Sequence, residues 1–329
     1  MKLRTRLCDL LRIEHPVISA PMAGSAAADL VAAVTAAGGF RLIGATSPLW
    51  QEDRSAWLRS QIHAVRERTD LPFGAGFVLG FPQCEELLQV ALEERVAAVS
   101  YSFGDPTPYV TAAHQAGVKA LVQVQTIAQA ETAARAGADG ITAQGTDAGG
   151  HCGLNGTLSF VPAVLDAVVP IAEVPVVAAG GIADGRGLAA VLMLGADGGW
   201  IGRRFCASNE CALDPWIKER IVAAGVDDTV WTLAYDRVLG FPTFPEGIAS
   251  RVLRTEFTDT WHGRDDEIVS RQADLLPQVQ ALGNEDGDAV WAGNAAGLIH
   301  AVEPAAAILH RIVAEAESLL RDRSAQLLR

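Results

Sequence analysis

The sequence predicts an α/β protein built as a (β/α)₈ barrel, with an irregular, mostly helical insertion and a C-terminal helix. Short apolar runs alternate with Ala-rich amphipathic segments through the first two-thirds of the 329 residues. Near-continuous apolar strands that alternate with helices are typical of a parallel sheet covered by helices. Glycine follows several of the helical segments just before the next strand, as expected of a helix C-terminus. A doubly wound sheet is the alternative fold.

Eight apolar runs are the predicted barrel strands. In chain order they are Val17–Ala20, Phe40–Gly44, Phe73–Phe77, Ala97–Ser100, Ala120–Val124, Gly140–Ala143, Val176–Ala179 and Gly199–Ile201. The helical patterns are Asp29–Ala37, Arg54–Arg68, Glu85–Glu94, Pro108–Ala116, Ile127–Ala136, Pro162–Val168 and Asp184–Leu194. Residues 136–140 are nearly repeated at 194–198, which indicates the same helix-to-strand junction used twice.

The alternation weakens after about Pro215. Residues 226–282 are richer in Trp, Arg, Thr and Asp and include Phe241-Pro242-Thr243-Phe244-Pro245, which suggests a lid over the barrel mouth. Glu303 to Leu328 has the pattern of an amphipathic helix. We therefore expect a barrel over 1–225, a helical lid or insertion over 226–300, and a C-terminal helix over 301–329 that packs back on the barrel.

Composition and charge exclude several classes of function. The formal net charge is −13 and no Lys/Arg cluster stands out, so the chain lacks the basic footprint of a nucleic-acid-binding protein. No apolar run reaches the roughly 18 residues of a membrane-spanning helix. Five scattered cysteines do not form a disulfide framework, and the pair Cys206-x₄-Cys211 lacks the companion ligands of a zinc site. We expect a cytoplasmic protein with no metal and no membrane partner.

The loop from Ala143 to Gly153 is the strongest functional signal. It follows the sixth predicted strand, is rich in glycine and contains His151. Glycine lets a backbone approach a ligand closely, and a histidine exchanges a proton near neutral pH. A histidine satisfied by backbone is the alternative interpretation, but the surrounding glycines and the position at the barrel mouth favour a functional role. Cys152 could be a nucleophile, but no second histidine or acid is placed to activate it.

Two further Gly-rich loops follow the seventh and eighth predicted strands. They are Ala179–Gly187 and Gly202–Phe205. In (β/α)₈ barrels phosphate commonly binds at these two loops. Exposed N–H groups beside a helix start near Asp184 would form an anion cradle, and Arg203 could add a charged contact. Tight turns alone would also explain the glycines.

Two other strand ends carry residues suited to a ligand. The first strand ends before Pro21 and Met22, and a thioether offers a soft contact to a flat ring. Gln123 lies within an otherwise apolar fifth strand and could hydrogen-bond a ligand. A core methionine and an ordinary polar strand residue are the alternatives.

Taken together, these loops resemble the nitronate monooxygenase family, formerly called 2-nitropropane dioxygenases, which are FMN-dependent TIM barrels. The matching segments are 20–22, 143–151, 178–187 and 202–205, and the resemblance extends to 257–261 and 291–293. It implies that Pro21, Met22 and Ala23 line the isoalloxazine ring of FMN. Gln123 and Gly149 would also touch the cofactor, and His151 would be catalytic. The residues implied to hold the phosphate are Ala179, Gly180, Gly181, Gly202 and Arg203.

The chain also departs from the family pattern. The family commonly has Thr where Arg203 stands, Arg where Cys152 stands, and a polar residue where Gly76 stands. Arg203 would strengthen phosphate binding. Cys152 would remove a charge near the site, which puts the usual substrate in question.

The resemblance implies FMN-dependent oxidation of a nitronate by O₂ to a carbonyl compound and nitrite, through a flavin semiquinone. The implied partners are a small nitronate and O₂. A homodimer is the expected assembly. One alternative is an FMN-dependent NAD(P)H oxidoreductase acting on a quinone or an enoyl thioester. Others are a flavin-free isomerase or lyase, which would want a strand-borne Lys or paired acids, and a non-catalytic binding module.

Overall fold

Eight parallel strands form a closed barrel in the computed structural model, which describes residues 2–25, 27–47, 53–241, 244–281 and 289–327. These strands are β1 (Val17–Ser19), β2 (Phe40–Gly44), β3 (Gly74–Val78), β4 (Ala98–Ser102), β5 (Lys119–Val124), β6 (Gly140–Gln144), β8 (Val176–Ala179) and β9 (Gly198–Ile201). Each pairs in parallel with its neighbour, and β1 closes the ring by pairing with β9 through Val17↔Gly199. The predicted fold class is confirmed, and the doubly wound alternative is wrong.

The barrel strands are almost entirely buried, which is why they are apolar on both faces. Side chains inside the barrel form their own cluster with helix α1 (Arg6–Leu11), which includes Leu7, Ile18 and Phe40. Because a Cβ at Gly198 would lie 2.6 Å from Leu7 Cδ2, the glycine lets α1 close the amino end of the barrel. The carboxyl end of the barrel, where the strands finish, is not covered by α1 and contains the candidate functional site.

Helices surround the barrel in the predicted order. They are α2 (Ala28–Ala36), α3 (Ser55–Arg66), α4 (Cys84–Glu93), α5 (Thr107–Gln115), α6 (Ile127–Arg135), α7 (Thr157–Val168) and α8 (Gly185–Met193), followed by the short α9 (Arg203–Cys206). Thr126 and Gln129 form a reciprocal capping box at the start of α6. Observed bounds differ from the predicted ones by a few residues, as element ends fray.

A second unit of structure lies beyond α9 and differs from the sequence expectation in one respect. Residues 226–282 were expected to be irregular and helical, but they contain the strands β10 (Thr229–Thr232) and β11 (Ala249–Leu253). Both join β7 (Gly150–Cys152), from the His151 loop, in an antiparallel sheet of order β10-β11-β7. The accompanying helices are α10 (Pro215–Ala223), α11 (Ala234–Leu239), α12 (Glu256–Trp261), α13 (Asp265–Ser270) and α14 (Gln272–Gln280), with a 3₁₀ turn at Asn294–Leu298.

The C-terminal helix α15 (Ala305–Ser318) packs between α8 and α2. Its buried residues include Ile308, Leu309, Ile312 and Val313, so it covers the seam between the last and first barrel helices. A π-helical turn (Leu319–Arg323) and α16 (Ser324–Leu327) follow it. In the described residues, no helix combines the length and the apolar character needed to cross a bilayer.

Candidate functional site

A cavity of about 530 Å³ opens at the carboxyl ends of the barrel strands. Every residue that the sequence analysis assigned to a cofactor or to catalysis lines it. These residues are Pro21, Met22, Ala23, Gln123, Gly149, His151, Ala179, Gly180, Gly181, Gly202 and Arg203. Residues from the ends of five barrel strands (β1, β5, β6, β8 and β9) thus meet at one mouth.

The segment after β1 is seated in the mouth by two glycines on neighbouring strands. A Cβ at Gly44 would lie 2.7 Å from Ala23 N, and a Cβ at Gly76 would overlap the Pro21 ring. Glycine on β2 and β3 therefore lets Pro21–Ala23 lie down across the barrel end. Glycine stands at position 76, where the family commonly has a polar residue, because Pro21 fills the space that a side chain would need.

The loops after β8 and β9 meet at one end of the cavity. Gly180 and Gly181 have φ of +101° and +77°, a conformation that favours glycine. Neither of their N–H groups donates a hydrogen bond to a residue in the described part of the chain. These donors face a cavity that Gly202 and Arg203 also line, so the four residues can hold an anion.

The start of α8 does not contribute to that anion site, which corrects the sequence interpretation. Asp184 caps the helix by accepting hydrogen bonds from Arg186 N and Gly187 N. Gly185 N donates to Glu315 Oε2 of α15 at 2.8 Å. Two carboxylates thus occupy the helix N-terminus near Asp184, and the anion donors come from the loops instead.

Arg203 and Arg204 have different roles despite being neighbours. Arg204 is buried, pairs with Glu303 and donates to Ala301 O, so its charge is used inside the protein. Arg203 Nη1 donates to Cys206 Sγ at 3.4 Å, whereas its buried Nε has no partner in the described residues. A buried guanidinium N–H without a partner is costly unless a ligand satisfies it.

Three glutamine side chains lie at the ends of β5 and β6. Gln123 Nε2 and Gln125 Nε2 both donate to Gln144 Oε1, at 3.2 and 2.9 Å. Gln123 and Gln144 line the cavity, while Gln125 is buried behind them. This network fixes the two lining amides in place.

His151 lies on β7, opposite Ser250 of β11. Its Nε2 contacts Asp236 Oδ1 of α11, and Ser250 Oγ lies 3.0 Å from the same nitrogen. The side chains of His151 and Asp236 are 13% and 4% exposed, so this is a nearly buried histidine–carboxylate pair. Because a carboxylate beside Nε2 favours the proton on that nitrogen, Nδ1 is left as the proton acceptor.

Aromatic side chains surround His151, and we call Phe81, Phe103, Phe241, Phe244 and Trp291 the aromatic cluster. Phe244 stacks on His151 with ring centroids 3.7 Å apart, and Phe103 lies edge-on to His151 at 6.2 Å. Phe241 stacks on Trp291 at 6.3 Å. Phe81 and Phe103 both contact Phe244 at 5.6 and 5.2 Å. The histidine therefore faces a largely apolar wall.

The glycines of the His151 loop are explained mainly by protein neighbours. A Cβ at Gly145 would lie 2.6 Å from Thr157 N, and one at Gly149 would lie 2.6 Å from Gly293 N. Close packing of the loop against α7 and the 292–293 backbone thus requires glycine there. The approach of a ligand, expected from the sequence as the reason for these glycines, is not needed to explain Gly145 and Gly149.

Cys152 does not reach the cavity. Its side chain is buried beneath the loop, where Sγ lies 3.6 Å from the carbonyl oxygens of Thr146 and Ala148. Burial raises the pKa of the Cys152 thiol to about 11, so it is not a nucleophile. The adjacent charge comes from Arg251, whose Nε donates to Thr146 O at 2.7 Å. The expectation that Cys152 removes a charge near the site, and so changes the substrate, is therefore not supported.

Cys206 and Cys211 are also buried and are free thiols. Their mutual hydrogen bond lowers the pKa of Cys206 and raises that of Cys211. Within the described residues no group of three or more His, Cys, Asp or Glu side chains could hold a metal ion.

Several lining or supporting residues were not identified from the sequence. Asp236, Ser250 and the aromatic cluster belong mostly to the insertion, where no strand-end rule places side chains. Asp236 is 85 positions from His151, and a single acid without a partner at fixed spacing gives no sequence signal. Gln144 could have been found, because it is the last residue of β6.

The barrel, the glycine-lined anion site and the nearly buried histidine are features of a (β/α)₈ barrel enzyme that binds a phosphorylated ligand. The family model for nitronate monooxygenase matches residues 4–86 and 77–315, so the chain belongs to the nitronate monooxygenase family. A probable nitronate monooxygenase of Staphylococcus saprophyticus is 30% identical over 373 residues, covering 97% of this chain and 99% of the relative.

Two further comparisons point to related oxidoreductases. A (3aS,4S,5R,7aS)-5-hydroxy-7a-methyl-1-oxo-octahydro-1H-indene-4-carboxyl-CoA dehydrogenase of Mycobacterium tuberculosis is 34% identical over 259 residues, covering 79% of this chain and 68% of the relative. The structure of FabK from Thermotoga maritima superposes with a TM-score of 0.87 at 34% identity, covering 99% of this chain and all of that one. The chain is thus a flavin-dependent oxidoreductase, and FMN is its cofactor.

The site fits FMN on two observations of its own. The unpartnered Nε of Arg203 matches a phosphate oxygen. A Cβ at Gly202 would meet only Ala20 and Met22, both at 3.7 Å, so protein packing does not require glycine there. Space left open at Gly202 beside an unsatisfied guanidinium is what a bound phosphate would fill.

Proposed function

We propose that the protein oxidises a nitronate with O₂ and FMN, giving a carbonyl compound and nitrite. The observation that carries this proposal is the His151–Asp236 pair, which lies in the cavity wall among aromatic rings. Among the described lining residues, His151 is the side chain suited to proton exchange near neutral pH, because Asp147 is bound to Thr157.

The residues that would hold FMN divide into two groups. Pro21, Met22 and Ala23 would lie against the ring system, with Gln123 and Gly149 also in contact. The phosphate would accept hydrogen bonds from the backbone N–H groups of the two loops and from the guanidinium of Arg203. The loop residues are Ala179, Gly180, Gly181 and Gly202. Bound FMN supplies the electron-accepting chemistry; the protein supplies position and charge.

His151 has two roles in this proposal. When both ring nitrogens carry a proton, Nδ1–H donates to a nitro oxygen of the anionic substrate, which places the nitronate carbon in the cavity. When a neutral nitroalkane enters instead, Nδ1 removes the α-proton, and Asp236 stabilises the imidazolium that results. The aromatic cluster excludes water around the pair.

The test is nitrite release from the nitronate of nitroethane by FMN-loaded protein. We expect turnover with consumption of O₂, and a loss of about 100-fold or more in His151→Ala, in the range of a general acid–base residue. His310→Ala is the matched control, because His310 contacts Ala37 O far from the cavity. Protein that stays colourless after incubation with FMN would refute the flavin assignment.

A second candidate is an FMN-dependent NAD(P)H oxidoreductase that reduces a quinone or an enoyl thioester. The identity to a dehydrogenase and the likeness to FabK favour it. Anaerobic bleaching of the flavin by NADH would support this candidate. The absence of a lysine among the described lining residues gives no support to a flavin-free lyase or isomerase.

Three expectations stay as predictions: the division into 1–225, 226–300 and 301–329, the cytoplasmic location, and a homodimer. Limited proteolysis and sedimentation of the purified chain test the first and the third.

A further inference from the structure

We propose that a buried Cys206 thiolate holds Arg203 in the free protein, and that Cys206 takes up a proton when the FMN phosphate binds to Arg203. Cys206 is thus a positioning residue for the cofactor, with two protonation states. The inference rests on the part of the proposed function that places the phosphate beside Arg203, and it does not depend on the substrate. It follows from four side chains that meet behind the cavity wall: Arg41, Arg203, Cys206 and Cys211.

Arg41 is a buried cation without a carboxylate partner in the described part of the chain. It lies on β2, is fully buried, and its Nη1 donates to Ser19 Oγ of the neighbouring strand. Its Nε and Nη2 have no partner among the described residues, and burial lowers the pKa of the guanidinium to about 10. Because an isolated charge is costly in a protein interior, a nearby anion would stabilise this arginine.

Cys206 can provide that anion. It is the last residue of α9, is fully buried, and its Sγ accepts a hydrogen bond from Arg203 Nη1 at 3.4 Å. A hydrogen bond from Cys211 lowers the pKa of Cys206; burial opposes this, and the charges of Arg203 and Arg41 lower the pKa further. Two arginine charges together with a thiol donor are the surroundings in which a cysteine ionises near neutral pH.

Each of the two sulfur atoms also has an acceptor for its proton. Cys206 Sγ lies 3.2 Å from Met22 Sδ. Cys211 Sγ lies 3.5 Å from Ser25 O. A neutral Cys206 can therefore donate to Met22, whereas an ionised Cys206 accepts from Arg203. The same side-chain positions thus support both protonation states, and the charges around Arg203 decide between them.

Charge balance determines when each state is favoured. Arg41 and Arg203 are both positive, and an ionised Cys206 balances one of them. A phosphate monoester carries about 1.5 to 2 negative charges near neutral pH, so FMN bound at Arg203 balances both arginines. A thiolate kept beside that phosphate would be an additional buried anion, repelled by a like charge. Cys206 therefore takes a proton from solvent when FMN binds and returns it when FMN dissociates.

The other charged groups around the four side chains have partners of their own, so Cys206 remains the group that titrates. They are the network of Arg204 and Arg311 with Glu303, Lys218 of α10, which donates to the carbonyl oxygens of Ser208 and Cys211, and Glu210, which accepts from Ala305 N.

The first measurement follows the ultraviolet absorbance of thiolate in the full chain freed of FMN as the pH is changed. We expect a thiolate near neutral pH that is present in the wild type, absent in Cys206→Ser and retained in Cys152→Ser. Cys152 is the matched control, because it is equally buried and the pKa of its thiol is raised to about 11. Circular dichroism establishes that each protein is folded. Absence of a thiolate below a pH of about 8, or its survival in Cys206→Ser, would overturn the proposal.

The second measurement counts the protons taken up with FMN, by titration calorimetry in buffers of different ionisation enthalpy. At a pH of about 8 the phosphate is already a dianion and contributes no proton of its own. We expect the wild type to take up as much as about one more proton per FMN than Cys206→Ser does. Because bound FMN raises the pKa of Cys206, the dissociation constant of the wild type should rise by up to about 10-fold per pH unit. Equal proton uptake by the two proteins would contradict the proposal.

Two variants separate this role from simple packing. Cys206→Ser removes the competing charge, so at a pH of about 8 it should bind FMN at least as tightly as the wild type. Cys206→Asp places a lasting carboxylate beside Arg203 and should weaken FMN binding about 10-fold or more. Weaker binding in both variants is what a merely structural role predicts, and that result would refute the proposal.

Cys206→Asp also keeps an anion near Arg41, so it is expected to fold even where Cys206→Ser does not. Its FMN affinity should stay constant between a pH of about 7 and about 9, since the carboxylate does not titrate there. A pH dependence like that of the wild type would overturn the inference. None of these measurements uses a nitronate, so pH-independent FMN binding by the wild type refutes the inference alone, and a lack of nitrite release refutes the proposed function alone.

Discussion

His151 is restricted by three neighbours of different chemistry. Asp236 holds one ring nitrogen, Ser250 Oγ lies 3.0 Å from that same nitrogen, and Phe244 covers a ring face. These contacts fix the direction of the ring and leave Nδ1 without a partner in the described residues. In the proposed reaction Asp236 is a positioning residue, since it would act on substrate only through the histidine.

Replacing Asp236 tests that role. Asp236→Asn keeps the shape but loses the negative charge, so turnover should fall about 10-fold or more. The loss should be larger for neutral nitroethane than for its preformed nitronate, because only the neutral compound needs proton removal. Rates with both forms across pH measure the difference. An equal loss for both forms would indicate a purely structural role, and Asp274→Asn, at an unrelated surface position, is the control.

Gly202 and Gly76 are glycines for different reasons. We expect a ligand to require glycine at position 202, whereas packing within the protein requires it at position 76. A Cβ at Gly202 meets only ordinary contacts, whereas one at Gly76 overlaps Pro21. We predict that Gly202→Ala leaves apoprotein stability within about 0.5 kcal/mol but weakens FMN binding. Gly76→Ala should destabilise the apoprotein by about 1–3 kcal/mol through overpacking. Urea unfolding and FMN titration measure both, and a reversed pattern would refute the phosphate assignment.

At this scale the sequence identifies residues that follow barrel strands and misses those that do not. Gln123 lies in β5, Pro21 and Arg203 are each the second residue after a barrel strand, and His151 lies in the segment that follows β6. Asp236 and Phe244 reach the same mouth through the folding of the insertion, which no periodic pattern predicts. For the glycines of the His151 loop the sequence suggested a ligand where close packing is the cause. The two causes cannot be distinguished from the sequence, because both require glycine.

Among the elements, the sheet β10-β11-β7 has the largest consequence for the site. It pairs His151 with Ser250 and Cys152 with Ala249, so the His151 loop is held as a strand. Arg251 adds a link, since its Nε and Nη2 donate to Thr146 O and Oγ1 at 2.7 and 3.1 Å. The sequence did not predict these strands because the region is rich in Trp, Arg, Thr and Asp instead of continuous apolar residues.

Arg251→Met tests how firmly this sheet holds the loop. Loss of hydrogen bonds from a charged donor costs about 1.5–3 kcal/mol, and that loss should be local. We expect faster amide hydrogen exchange over 145–152, a higher KM and a nearly unchanged FMN content. Arg254→Met is the matched control, because Arg254 pairs with Asp259 on the surface. Unchanged exchange over 145–152 would show that the loop does not depend on Arg251.

For the molecule as a whole, α15 is the element that completes the barrel. It packs on both α8 and α2, and Glu315 caps the start of α8. The barrel and this helix could be predicted from the sequence because their apolar periodicity is strong. The way the insertion covers the mouth could not be predicted from the sequence, since it depends on contacts between distant parts of the chain.

Ile312→Ala measures the contribution of α15. Ile312 is 1% exposed, so the change leaves a cavity and should lower the free energy of unfolding by about 2–5 kcal/mol. Met193→Ala, on the same side of the barrel but 73% exposed, should change it by less than about 0.5 kcal/mol. Chemical unfolding gives both values. Equal values would mean that α15 is not part of the cooperative fold.

The central claim is that a nitronate, and not a nicotinamide, delivers electrons to the flavin. The most direct measurement mixes the FMN-loaded protein anaerobically with the nitronate of nitroethane and, separately, with NADH, while following flavin absorbance. We predict that the nitronate changes the flavin spectrum and that NADH leaves it oxidised. Bleaching by NADH with no response to the nitronate would contradict the claim and establish the reductase.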